Sequence, residues 1–483
     1  MEKFISEIRK RNTDELIYEL SKISIDMYNN FEPIKDIEVP PGLRYGKRLI
    51  VPLLAWDIPN LAFISVKESN DYRKYNKKVS LEELIDLYRE YDDEYSSPEI
   101  LKNADLDEIF RVILGMTSEQ FLYQNWRWIF EKFNRDYYIL LAATDFEHRK
   151  EINTDEVVKE VFGYSADDYI AILLMVFWLC SKNPKPLSAP ENLYCRKENT
   201  ILTSKNIARF IEYYSCTYKE LREHPLGKQL LYSKPFIKTQ KNPSYLSVSM
   251  FLVAMLIGNG LYWLIRDYYL KQGTQKFVNS FGLLFEDYIK NLAEIYFESF
   301  NWKVLSPGSK KEADFIFNFT SLQMLVESKS SLLRLDVKQQ APNLDSAKIF
   351  FEHTISEAYE QLKSSYEQLK STIDVPILKI ILLYDEFSKT SIIEKSKKEI
   401  YEKDPLCFVM TIRQFEILLY FHRNDKVKEQ QILDRLLNSI KPGGIRKNIG
   451  AIYDELSISN NPHFDGDMNY FSKLITHLEE NLQ

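Results

Sequence analysis

The sequence predicts a mainly helical N-terminal domain over residues 1–275, a mixed-sheet α/β domain over 276–425 and a helical C-terminal appendage over 426–483. Three observations lead there. Helical spacing dominates the first stretch; strand-like runs gather after residue 276, first as a meander and then alternating with helices; the last stretch returns to helical spacing. Meander strands followed by such alternation imply a mixed sheet covered by helices. A chain of 483 residues, at about 150 per domain, has room for all three parts.

In chain order, LEELIDLYREY (81–91) carries apolar residues at 81, 84, 85, 87 and 88, near a 3.6-residue period, and Ser80 with Glu83 forms a capping box. Further helix-like stretches run over 118–133, 155–163 and 204–224, separated by Pro-rich connectors at 182–190 and 234–243. YIAILLMVFWLC (169–180) is too short to cross a membrane and reads as a core helix. The run 247–265 has the length of a span, but Gly258-Asn259-Gly260 interrupts it. A Gly-rich polar break would leave backbone groups unpaired in lipid, so a buried pair of short helices is expected and no membrane.

From residue 276 the pattern changes. Ser280 is placed to cap a helix through LLFEDYIKNLAEIYFESF, and NWKVLSPG (301–308), EADFIFNF (312–319) and LQMLVESKS (322–330) follow as strands. A helix at 351–371, a strand at 378–386, a polar helix, a strand at 406–411 and a helix from Thr411 complete the domain. The appendage after it includes a polar loop at 461–467.

Composition excludes several classes. The 63 Lys and Arg against 70 Asp and Glu give a net charge of −7, which argues against a generic polycation coating DNA or anionic lipid. One local basic groove on an acidic body stays compatible with it. Only 14 Gly against 31 Tyr and 29 Phe rules out a flexible linker array. Cys180, Cys195, Cys216 and Cys407 contain no C-x-x-C pair, which leaves no zinc ribbon. There is no phosphate-cradling G-x-x-x-x-G-K-[ST], hence no ATPase motor. The N-terminal residues hold no apolar leader, so a cytoplasmic setting is expected.

The segment carrying chemistry is 312–330. If EADFIFNF and LQMLVESKS pair as a hairpin about Thr320-Ser321, Asp314 falls opposite Glu327. One face then holds Phe315, Phe317, Phe319, Leu322, Met324 and Val326, and the other gathers Asp314, Glu327 and Lys329. Two carboxylates would hold Mg²⁺, or Mn²⁺ in its place, beside a scissile phosphate. Lys329 would orient the attacking water and offset growing charge. Phosphodiester hydrolysis is the reaction this set suits.

With F-E-D-Y at 285–288, A-D-F-I at 313–316 and V-E-S-K at 326–329, the chain resembles the PD-(D/E)xK nuclease superfamily over roughly 140 residues. The resemblance implies a restriction-endonuclease-like core in the order helix, three strands, helix, strand. It implies metal binding by Asp314 and Glu327, joined by the backbone carbonyl of Ser328 and by Glu286 on the first helix. Lys329 matches the catalytic lysine, and Gln361 matches a second-helix glutamine used in some branches. Ala313 departs from the pattern, which has Pro there. Double-stranded DNA is the substrate the resemblance favours; RNA or a branched junction, or a catalytically silent scaffold, are the alternatives. By analogy with bacterial restriction and anti-phage defence effectors, the helical domain would sense, self-associate or bind a partner protein.

Glu327-Ser328-Lys329 is the only E-x-K in the chain. A rival D-x-K stands at Asp336-Val337-Lys338, and the hairpin register favours 327/329. Residues 301–340 hold six basic and four acidic side chains, and Lys310, Lys311, Arg334 and Lys338 are candidate phosphate contacts.

Overall fold

The computed structural model describes residues 2–30, 53–68, 78–96, 123, 128–188, 201–225, 227–239, 244–305, 312–334, 337, 343–370, 375–386, 400–442 and 444–482. Mixed α and β structure appears, mostly helical, with one sheet of three strands and one of five. The rival Asp336 and Lys338, the basic Lys310 and Lys311, and Cys195 lie outside the described residues.

The helices have local causes. Asn12 caps α1 (Thr13–Asn29) by accepting from the Glu15 N–H. Ser80 does the same for α2 (Leu81–Ser96), its hydroxyl accepting from the Glu83 N–H at 3.1 Å, as the capping box predicts. Helix α3 (Trp128–Tyr137) and α4 (Ala166–Cys180) follow, the latter with a complete Ser165/Asp168 capping box and a buried body.

Where two short helices are expected at 247–265, one unbroken helix stands, α5 (Met250–Lys271). The two glycines are contact points instead of breaks. A Cβ at Gly258 would lie 2.8 Å from Ile129 Cγ2 and 2.9 Å from the Ile129 carbonyl, and one at Gly260 would lie 2.9 Å from the Tyr169 hydroxyl. Helices α3 and α4 press so closely on α5 that only hydrogen fits there. Among the described residues α5 is the one straight helix long and apolar enough to cross a membrane, and 78% of its apolar window is buried in the protein.

The first stretch also holds strands that helical spacing does not foretell. β1 (Ser215–Cys216) runs parallel to β2 (Phe236–Lys238), which pairs antiparallel with β3 (Tyr245–Ser247). This divides the 204–224 helix and makes residues 236–238 of the expected connector a strand whose Phe236 and Ile237 are fully buried.

Helix α6 (Lys276–Tyr296) starts four residues before the expected cap. Ser280 sits inside it and donates to Glu151 Oε2 at 2.7 Å. The five-stranded sheet has the order β4 (Trp302–Val304), β5 (Phe315–Asn318), β6 (Gln323–Lys329), β7 (Ile377–Leu383), β8 (Cys407–Thr411). The first three form an antiparallel meander, and β6, β7 and β8 are mutually parallel. Between β6 and β7 lies α7 (Glu357–Leu369), and α8 (Ile412–Asn424) follows β8 behind a Thr411/Gln414 capping box. Helix α9 (Lys426–Ser439) opens the appendage.

Alternate side chains of the sheet enter different cores. Met324, Val326, Ile380 and Leu382 join a large cluster that extends from Phe4 to Tyr453 and draws on all three stretches of the chain. Leu325, Ile381, Leu383 and Val409 join a smaller one roofed by Ala358 and Leu362 of α7.

A buried polar network ties the three stretches together. Arg135 of α3 donates through Nε and Nη2 to both carboxylate oxygens of Glu416 on α8. Tyr288 of α6 donates to Glu416 Oε1 at 2.7 Å, and Asn461 Nδ2 donates to Oε2 at 2.6 Å. His463 contacts the Tyr288 and Tyr296 hydroxyls. Thus Asn461 and His463, in the segment expected to be a polar loop, are buried members of this network.

Candidate active site

The β5–β6 hairpin builds the site. Its register pairs Phe315 with Val326 and Asn318 with Gln323, and the Phe319 N–H donates to the Leu322 carbonyl, closing a two-residue turn at Thr320-Ser321. Continued by one residue, this register sets Asp314 opposite Glu327, as the alternation predicts. The Asp314 N–H donates to the Val326 carbonyl at 3.0 Å, so Asp314 is held at the point where the strands meet.

Each acid is gripped differently. Asp314 Oδ2 accepts from both the N–H and the hydroxyl of Ser328, each at 2.7 Å. Burial still pushes its carboxyl above the usual range, with the Ser328 bonds and the Lys329 charge opposing. Glu327 is 2% exposed. Its Oε1 accepts from Lys329 Nζ at 2.6 Å, while Oε2 is enclosed without any hydrogen-bond partner. Burial, then the negative charge of Asp314, lifts the Glu327 carboxyl to about 8 despite Lys329.

Lys329 is fixed from two sides. Its ammonium also donates to Gln361 Oε1 of α7 at 3.0 Å. Its carbonyl accepts from the Tyr384 N–H at 3.0 Å, just beyond β7. The Tyr384 hydroxyl in turn donates to Asp136 of α3, which Lys132 bridges at 2.7 Å. Phe281 and Phe285 of α6 pack edge-on against the Tyr384 ring. That contact sets the rotation of α6 and so the placement of Glu286, the next residue. Burial and then the Asp314 charge raise the Glu286 carboxyl to about 7, with His148 pulling the other way.

Asp314, Glu327, Lys329, Glu286 and Gln361 therefore occupy one electrostatic neighbourhood, with Ser328 fastening Asp314. Three carboxyls are displaced upward here, and one of them carries an enclosed oxygen without a donor. The donors are oxygens, which suits Mg²⁺ or Mn²⁺. Position 313 has a reason to differ from proline, since the Ala313 N–H donates to the buried Ser365 hydroxyl of α7 at 2.8 Å. Arg334 is exposed beyond the end of β6.

Sequence reading missed His148. It comes from the helical stretch, and Asp287 accepts from both its backbone N–H (2.9 Å) and its Nδ1 (3.1 Å). No local motif marks it, because its partner lies 139 residues away. Comparison with protein-family profiles, with curated proteins and with solved structures finds no match for this chain.

Proposed function

We propose that this chain is a metal-dependent nuclease that hydrolyses phosphodiester bonds, with double-stranded DNA as the first substrate to test. The observation carrying this reading is Glu327, whose buried Oε2 has no donor while Asp314 lies opposite across the hairpin. The order of helix, three-stranded meander, helix and parallel strand also agrees with the restriction-endonuclease-like core that the PD-(D/E)xK resemblance implies.

Asp314, Glu327 and Glu286 would hold the ion, with the Ser328 carbonyl as the further oxygen that the resemblance implies. A divalent ion held there would polarise the phosphoryl oxygen and make a bound water more acidic. Lys329 would offset the charge growing on the phosphate, and its bonds to Glu327 and Gln361 limit the positions it can take. With a net charge of −7, substrate binding would be weak and salt-sensitive unless an ion, a second copy or a partner adds contacts. A role in anti-phage defence fits such a nuclease joined to a large helical part.

The test is cleavage of plasmid DNA and of RNA with Mg²⁺ or Mn²⁺, with EDTA and Lys329→Ala as controls. Metal-dependent cutting lost in Lys329→Ala supports the reading. Cutting of RNA alone moves the substrate and keeps the site. Equal cutting by the wild type and Lys329→Ala overturns it.

A further inference from the structure

The geometry points to a second divalent-ion site, made by Glu147, His148 and Asp287, where the helical stretch docks on α6. One oxygen from each carboxylate and one imidazole nitrogen lie within 4.8 Å of one another, a spacing that three ligands of a single ion can occupy. The residues grade from exposed Glu147 through half-buried His148 to buried Asp287, so an ion could enter from solvent.

Charge is the independent argument. Asp287 is 8% exposed, and its partners are the N–H and ring of His148. Among the described residues no lysine or arginine pairs with Glu147 or Asp287. The nearest candidate in sequence, Arg149, turns away and donates to the Ile152 and Leu140 carbonyls. Two carboxylates and one imidazole thus face one another with no described lysine or arginine between them, a donor set that a divalent ion can bind. An ion bound at Nδ1 would replace the proton that now joins it to Asp287, and that bond already holds the two ligand atoms 3.1 Å apart.

A nitrogen donor among oxygens selects first-row transition ions such as Mn²⁺ or Zn²⁺ over Mg²⁺. This site shares no residue with the oxygen-only set of Asp314, Glu327 and Glu286, although α6 links them through the neighbouring Glu286 and Asp287. It stands or falls separately from the nuclease reading.

The test is Mn²⁺ binding to the metal-stripped full chain, followed by electron paramagnetic resonance with detection of ¹⁴N coupling. Expected are two bound Mn²⁺ per chain, one of them coupled to an imidazole nitrogen. Asp314→Ala should remove the uncoupled ion and leave the ¹⁴N signal, and His148→Ala should do the reverse. If His148→Ala fails to fold, Glu147→Gln at its exposed position carries the test, with Mn²⁺ affinity at the coupled site falling about tenfold or more. Absence of ¹⁴N coupling in the wild type overturns the proposal, as does coupling that survives His148→Ala or an affinity unchanged in Glu147→Gln. Loss of the uncoupled ion alone would count against the nuclease centre and leave this one standing.

Discussion

The Arg135 guanidinium meets the Glu416 carboxylate through two parallel hydrogen bonds, Nε to Oε1 at 2.6 Å and Nη2 to Oε2 at 2.7 Å, with side-chain exposures of 2% and 0%. The pair joins α3 to α8 across 281 residues of chain.

Removing one partner strands the other charge in the interior. Arg135→Ala should destabilise the protein by about 3–5 kcal/mol, seen as a lower urea midpoint. Replacing both partners by apolar residues of matching volume should recover much of that loss. Equal destabilisation in the single and double variants would contradict this account.

Gln361 holds Lys329 at 3.0 Å from the second core helix. Under the nuclease reading, Gln361→Ala should slow cleavage about tenfold while Lys329→Ala slows it about 100-fold or more. Single-turnover rates with saturating metal would separate these effects from weakened ion binding. Gln361→Glu, which keeps an acceptor for the ammonium, should retain more activity than the alanine variant.

The raised Glu327 carboxyl makes metal-free stability depend on pH. Its folded value is about 8 against an ordinary 4.5, so between those limits the folded state keeps a proton that the unfolded chain releases. The contribution is therefore fully present below pH 4.5 and is lost as pH rises to about 8. Glu327→Gln should flatten that slope and raise the melting temperature at pH 8 by about 2 °C or more. Thermal melts in EDTA across this range would check it.

His463 has the opposite sign. Burial chiefly, aided by Arg135 and opposed by Glu416, lowers it from 6.5 to about 4. Below pH 6.5 the unfolded chain takes a proton that the folded state refuses, so stability present above 6.5 is lost as pH falls to about 4. His463→Asn should reduce the acid sensitivity of the urea midpoint between pH 7 and pH 5 relative to the wild type.

At Gly258 the added methyl of Gly258→Ala would meet both a side chain and a backbone carbonyl of Ile129. Overpacking there should cost about 1–3 kcal/mol, although alanine favours the helix by about 1 kcal/mol. Denaturant titration of Gly258→Ala beside Gly273→Ala, where nothing lies within 4 Å but φ is +72°, would separate crowding from backbone strain.

The hairpin was legible because alternation fixes faces: one apolar row of six side chains permits a single register, and that register puts Asp314 opposite Glu327. Gln361 and Glu286 were reachable through the family resemblance, and the structure sets both near Lys329 or Asp314. Distant packing was not legible. Gly258 and Gly260 resemble a break in sequence, and only the approach of Ile129 and Tyr169 shows that they permit contact. Phe236 and Ile237 sit among prolines and lysines, and pairing with β1 and β3 makes them a strand. Asn461 and His463 read as part of a polar loop until Glu416, Tyr288 and Tyr296 surround them.

Helix α5 has a further consequence during synthesis. Its Tyr262 ring packs against Phe277 and Phe281 just downstream, and against Tyr384, which is made about 120 residues later. At translation rates of about 5–20 residues per second, that flank stays uncovered for about 6–24 s. In that interval one flank of a helix of bilayer-spanning length is open on the nascent chain, so the order of synthesis leaves this apolar surface to be covered last.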